Sequence, residues 1–467
     1  MSVACGDGGS NAMGGTDGDG GAGSTEATSE ASEDAADDES GSDGADDGIP
    51  WTEGTASLEV AWSRNVECNG ASGWIGDGVD QLLKTSTGGL WVAGFFHGDC
   101  GMFDDGFVDS DGTDAFSAEL TVDDGSVVQE HKLDGPGLQA IDEGASSAAG
   151  SAMVGRLTGP ITIGGSLLEP SAPDTTDRWL ARLDPDGEAV WVRRFDDASF
   201  LPLQLDLADD GRVALLGAPL GPIDVGVVLD TSLLSPFVVV YDAEGEVAFA
   251  TVVTPQGFLS PQFTAVRFGP DGDVWIAGTT YGQLTFGEAS PVGPDFSDIN
   301  SVFVVRMSDS GEVRWLWSDT PPAVHHAPIL EVAPDGTSTI VFTTDAPEVV
   351  QFAPDGSLAW RRRFETEDVH RPILAIAPDD AVVVGLAYTD AIVVDEQTIG
   401  TAGRRDVLLM ELDEDGDVTW WQRFGTEWDE GLRGGIVVLD DGLALLATLG
   451  QPTTFGLADV VRLRPSP

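Results

Sequence analysis

DPDGEAVW, residues 184–191, ends an Asp/Gly turn with a tryptophan four positions after the glycine. The same construction recurs as AEGEVAF (243–249), SDSGEVRW (308–315), APDGSLAW (353–360) and DEDGDVTW (413–420). In such tips Pro presets φ, Asp accepts from its own backbone and Gly takes φ > 0, so each reads as a hairpin. The closing aromatics, Trp191, Phe249, Trp315, Trp360 and Trp420, stand 58, 66, 45 and 60 residues apart. A period of this size built from strands and turns predicts an all-β fold, a β-propeller.

Working outward, two patterns precede the hairpins. The first packs apolar residues closely after a turn: GGLWVAG (88–94), GRVALLG (211–217), GDVWIAG (272–278), DAVVVG (380–385) and GLALLAT (442–448). Runs of this kind suit strands buried on both faces. The second is a short alternating stretch: GPITIGG (159–165), GPIDVG (221–226), GQLTFGE (282–288) and DAIVVDE (390–396). Period-two alternation between glycines reads as a half-buried strand of the same blade. With the hairpin, these make a four-stranded unit.

Seven units follow, at 67–135, 136–199, 200–257, 258–320, 321–366, 367–427 and 428 onward. The last lacks a Trp-bearing strand, and SLEVAWSRNV (57–66) supplies one around Trp62. The N-terminal strand is therefore expected to complete the C-terminal blade and close the ring, which removes an exposed sheet edge. The fifth unit is short and leaves six or eight blades open. Gln129 holds the aromatic slot in one unit and Phe249 in another, so the Trp series reads as packing between blades.

The order GxVWVAG, GxLxFG, FVxRLDPDGEVxW resembles the bacterial seven-bladed "SBBP" β-propeller repeat of secreted and cell-surface proteins, over residues 57–467. That resemblance implies an extracytoplasmic setting and no defined activity. The D-x-x-G-x-x-x-W fragment is also similar to the tryptophan-docking repeats of quinoprotein dehydrogenases and of the lipoprotein subunit of the outer-membrane β-barrel assembly machinery. The quinoproteins carry adjacent cysteines, which this chain lacks.

Residues 1–50 are rich in Gly, Ser, Thr, Ala, Asp and Glu, most of all between Gly6 and Gly48, with no Lys or Arg before Arg64. Such a tract buries too little apolar surface to order, and its charges extend it into a tether. Val3-Ala4-Cys5 resembles the end of a bacterial lipobox, although Ser2 stands where leucine is usual. The resemblance implies lipidation at Cys5. The charged and apolar parts of a signal peptide do not precede it, so the true start is expected upstream.

Eighty Asp+Glu against 22 Lys+Arg give a net charge of −58. Nucleic-acid phosphate would be repelled by the whole molecular field. No apolar run approaches the ~20 residues of a spanning helix, so none is expected. Cys68 and Cys100 fall in one unit and form a candidate disulfide in an oxidising compartment.

Catalytic signatures are missing: there is no G-x-S-x-G elbow and no G-x-x-x-x-G-K loop. Asp109, Asp111 and Asp114 resemble part of a Ca²⁺ loop without its closing bidentate Glu, and Ca²⁺ is the one cofactor considered. The reading is a monomeric, non-catalytic surface lipoprotein, anchored by lipid at a membrane surface. It binds a protein or glycan at one mouth of the ring. The alternatives are an envelope-assembly scaffold and a carboxylate-dependent glycan lyase or hydrolase.

Overall fold

Among the described residues, seven antiparallel sheets built on four main strands follow one another along the chain. Six take those four in chain order, most with short strands intervening, and the last draws on both ends of the chain. The computed structural model describes residues 51–55, 58–64, 66–68, 78–85, 87–97, 100–102, 107–108, 113–133, 135–173, 175–196, 200–231, 235–256, 261–287, 289–291, 293, 300–321, 323–426, 431–448 and 459–465. Blade 1 comprises Gly78–Lys84, Leu90–His97, Thr113–Leu120 and Val127–Leu133. Blade 2 comprises Gln139–Ser147, Gly150–Leu157, Asp177–Leu183 and Ala189–Phe195. Blades 3 to 6 begin at Phe200, Gln262, His326 and Thr366.

Each blade's first strand packs against the first strand of the next, from blade 1 round to blade 7 and back to blade 1. The fold is thus a closed seven-bladed β-propeller with the first strands innermost. Seven apolar clusters hold it together, and each lies between two neighbouring blades rather than within one.

Blade 7 takes Gly431–Leu439, Gly442–Thr448 and Asp459–Pro465 from the C-terminal end and Leu58–Arg64 from the N-terminal end. Leu58 faces Pro465 and Arg64 faces Val460 across that junction, as the Trp62 segment predicted. A second tie follows from Trp51–Gly54, which adds to the outer edge of blade 6 opposite Gln422–Gly425. The Gln422 amide then clasps Leu58 from both sides, accepting from its N–H at 2.7 Å and donating to its carbonyl at 2.8 Å.

The second and third strands are mostly buried, as the dense apolar runs demand; Val274–Thr280 and Phe237–Tyr241 have no exposed residue. The hairpin tips fold as the Asp/Gly chemistry requires. Asp184 Oδ1 accepts from the N–H of Asp186 (3.0 Å) and of Glu188 (2.9 Å), and Gly187 takes φ 83°.

One expectation is corrected. The short alternating stretches are not the blades' own strands. Among the described residues, Ile161–Ile163 pairs only with Ser166–Leu168, and Ile223–Asp224 only with Val228–Leu229. Leu284–Phe286 adds to the fourth strand of the preceding blade, and in blade 6 the second strand simply runs on to Val394. These segments are fingers that fold back over the seam between blades. Their alternation arises because one face packs onto that seam, with Ile161 and Ile163 buried among blade 1 and blade 2 side chains. The remaining strand of each blade is the innermost one.

Candidate binding site

The fourth-strand aromatics act between blades. The turn glycine of the next blade's outer hairpin lies flat against each ring: Gly125 on Trp62, Gly245 on Trp191, Gly311 on Phe249, Gly356 on Trp315 and Gly416 on Trp360. At Gly245, with φ 85°, a Cβ would sit 2.8 Å from the Trp191 ring, so only glycine permits the contact. Arginines secure the same joint by donating to carbonyls of that hairpin. Arg182 Nη1 reaches Ala243 O at 2.9 Å, Arg193 Nε reaches Gly245 O at 2.8 Å and Arg362 Nη1 reaches Gly416 O at 3.1 Å. Trp420 instead packs on the apolar cluster between blades 6 and 7, which Leu58 and Val60 also join; the last two strands of blade 7 come from opposite ends of the chain, so no hairpin turn connects them.

The joint between blades 1 and 2 is built differently. Register places Gln129 opposite Glu119 just as Trp191 lies opposite Arg182. Glu119, Gln129 and His131 therefore occupy the places of Arg182, Trp191 and Arg193. Gly187 faces His131 Nε2 and Gln129 Nε2, at 2.9 and 3.1 Å from where its Cβ would stand. Glu119 turns away to accept from Thr85 Oγ1 at 3.0 Å.

A groove of about 350 Å³ opens beside this joint. Its walls are the blade 1 outer strand, the blade 2 outer turn and the tip of the blade 2 finger at Thr162–Gly165, with Met153 and Leu183 at its base. Lys132 pairs with Glu130 at 3.2 Å along one wall. A smaller hollow of about 50 Å³ shares Gln129, His131 and Gly187 and reaches Trp91 and Ser146.

The innermost strands of blades 2 to 5 carry a second polar array. Gln204 donates to Glu143 at 3.3 Å, Phe268 N–H donates to Asp206 at 2.6 Å, and Arg267 makes a two-pronged pair with Glu331, Nη2 to Oε1 at 2.8 Å and Nε to Oε2 at 3.2 Å. Burial raises the Asp206 carboxyl to about 6, with Arg267 pulling against it. Burial also works against the Arg267 charge, but Glu331 outweighs it and the guanidinium is held more firmly protonated.

Among the sequence-predicted residues, Trp62, Trp191, Phe249, Trp315 and Trp360 meet turn glycines. Cys68 and Cys100 are direct register partners on the short strands Val66–Cys68 and Cys100–Met102. Asp114 is buried at the start of a blade 1 strand. Cys5, Asp109 and Asp111 lie outside the described residues. No group of three or more His, Cys, Asp or Glu that could hold a metal ion occurs among the described residues.

Sequence reasoning missed a recurring ion pair. The fully buried Asp177 and Asp406 open third strands and hold the preceding loop, accepting from Ser171 Oγ at 2.8 Å and from Ala402 N–H at 2.8 Å. Arg194 and Arg423, three positions beyond the tryptophans, lie 3.7 and 3.6 Å from them. The signal was present as TDRW and RDVLL, with W-x-x-R following each.

Comparison with known protein families finds no match, and comparison with curated proteins finds none. Among solved structures, the Dos1 propeller is similar at 10% identity and TM-score 0.42, over 83% of this chain and 78% of its own. A protein of unknown function from Dyadobacter fermentans is similar at 11% identity and TM-score 0.36, over 90% of this chain and 100% of its own. Another, from Bacteroides caccae, is similar at 12% identity and TM-score 0.35, over 67% of this chain and 91% of its own. At such identities nothing about activity is transferred.

Proposed function

We propose that this chain is a non-catalytic surface lipoprotein, of the SBBP-type repeat group, whose propeller binds a protein or glycan. The observation that supports a binding role is the joint between blades 1 and 2. There the aromatic-and-arginine clasp gives way to polar side chains beside an open groove. In this reading residues 1–50 are the tether and Cys5 carries the lipid. Cys68 and Cys100 form a bridge, which their opposed register permits.

Intact mass of the native protein, with whole-cell proteolysis, tests the anchoring. Diacylated Cys5 and surface cleavage are expected, and Cys5→Ser should release the protein from the membrane fraction. An unmodified soluble protein would overturn it. Non-reducing peptide mapping tests the bridge, and recovery of both thiols free would remove it.

A catalytic alternative draws support from one place. Asp206, raised to about 6 beside Arg267, has the poise of a general acid or base for a glycan lyase or hydrolase. Loss of a measured glycan-cleaving activity in Asp206→Asn would favour it.

A further inference from the structure

We propose that the groove between blades 1 and 2 is a saccharide-binding site, selective for neutral or amino sugars. The proposal deepens the binding-module reading and rests on it.

The first argument is the pattern of replacement. Simple decay of a packing joint would leave small or apolar residues. The arginine places vary round the ring, with Val240 and Thr251 flanking Phe249 and Gln351 opposite Trp360, but the aromatic place is polar only here, where Gln129 stands with His131 two positions on. The framing elements are kept. The turn glycine Gly187 retains φ 83°, and the blade 2 finger still closes one side of the groove.

The second argument is the chemistry of the walls. A sugar ring offers a C–H face and an edge of hydroxyls that both donate and accept. Its recognition can rest on the hydroxyl edge, met by planar polar groups. Met153 and Leu183 also line the groove but, at 2% and 4% exposed, offer little face, so the polar side chains carry the contact. The Gln129 amide both donates and accepts, and His131 offers ring nitrogens for the same hydroxyls. Asp186 and Glu188 on the facing turn supply acceptors.

Charge sets the selectivity. Glu130, Asp186 and Glu188 outnumber Lys132, so uronic or sulfated sugars are repelled and an ammonium is welcome. A volume of about 350 Å³ stands at the small end of the range of ligand pockets, roughly 300–1,000 Å³. The site therefore suits one or two rings of a longer chain.

The test is calorimetric titration of the full chain with chitotriose, maltotriose and a sulfated trisaccharide, in wild type, Gln129→Trp and His131→Ala. The new indole should stack on Gly187, as Trp191 does on Gly245, fill the groove and raise Tm. Wild type should bind a neutral or amino trisaccharide. Gln129→Trp should abolish that binding, and His131→Ala should weaken it at least tenfold with Tm unchanged.

Equal affinity in all three proteins would overturn the groove as the site while leaving a glycan-binding propeller. No heat from any of the three probes with wild type at millimolar concentration would overturn the proposal and the glycan arm of the reading with it. Tighter binding of the sulfated probe would overturn the selectivity. Should Gln129→Trp fail to fold, His131→Ala decides alone.

Discussion

The joint between blades 2 and 3 and the joint between blades 1 and 2 share one backbone plan and differ in three side chains. In the first, Trp191 lies on Gly245 while Arg182 and Arg193 donate to the hairpin that carries it. Arg193 also lies over the Tyr241 ring, 5.0 Å from its centre. In the second, Gln129 and His131 rest on Gly187 and a groove remains. Closure of a propeller requires that most joints hold. One joint can then be given to a ligand, because the ring geometry is maintained by the others and by the strand exchange in blade 7.

The sharpest break of this comparison is removal of the aromatic. Trp191→Ala should destabilise by about 3 kcal/mol, since a large contact and its cavity are both at stake. Gln129→Ala should cost less than about 1 kcal/mol, as expected of a half-exposed polar contact. Urea unfolding of the two variants side by side measures the difference, and equal losses would show that the joints are equivalent.

The glycines come next. Gly245→Ala meets both a left-handed backbone and an indole that cannot yield, and should cost about 2–3 kcal/mol. Gly187→Ala meets the movable ends of His131 and Gln129, so only the backbone term of about 1–2 kcal/mol should remain. Thermal unfolding of both variants checks the ranking.

A third test moves to the channel. Asp206 has its folded pKa raised to about 6 from 3.8, so its protonated form favours the fold. That contribution is complete below about 3.8 and is lost as pH rises through about 6. Asp206→Asn should therefore gain about 1–2 kcal/mol at pH 7, less than the full shift implies because the side chain is half-buried. The gain should vanish near pH 4. Stability curves from pH 4 to 7 decide it, and a variant less stable than wild type at pH 7 would refute it.

The smallest effect expected is at the arginine. Arg193→Ala should cost about 1 kcal/mol through its lost hydrogen bonds to Gly245 O. His131→Ala should fall within about 0.5 kcal/mol of wild type. Matching losses in denaturant melts would argue that His131 is a structural clasp.

Much of this was legible from the chain. The Asp/Gly tips, the dense second and third strands and the Trp62 segment prescribed the blades and their closure. They could do so because each signal is local: a turn needs its own Asp and Gly, and a strand buried on both faces needs continuous apolar residues. The fingers were misread because Ile161 and Ile163 alternate like a strand while packing across a seam.

The innermost strands escaped for a different reason. Every one pairs with its neighbour through a register shift, as between Ile141 and Glu143, Pro202 and Gln204, and Phe263 and Ala265. A bulge breaks the period of two, and the positions that meet the neighbouring blade's first strand include Glu143, Gln204, Asp206 and Arg267 rather than apolar residues alone.

By itself the sequence determined the repeat and the hairpins, which follow from local residue chemistry. It also determined the exchange that closes blade 7, because the Trp62 segment carries the pattern missing from the C-terminal unit although its partner strand lies at the far end of the chain. Only the tertiary structure decided which blade meets which, and so what Gln129 does. Its neighbours across the joint, Gly187 and the finger from Thr162, lie 58 and 33 residues away. A groove between blades is made by absence of volume at one such meeting, and only the packed ring brings its walls together.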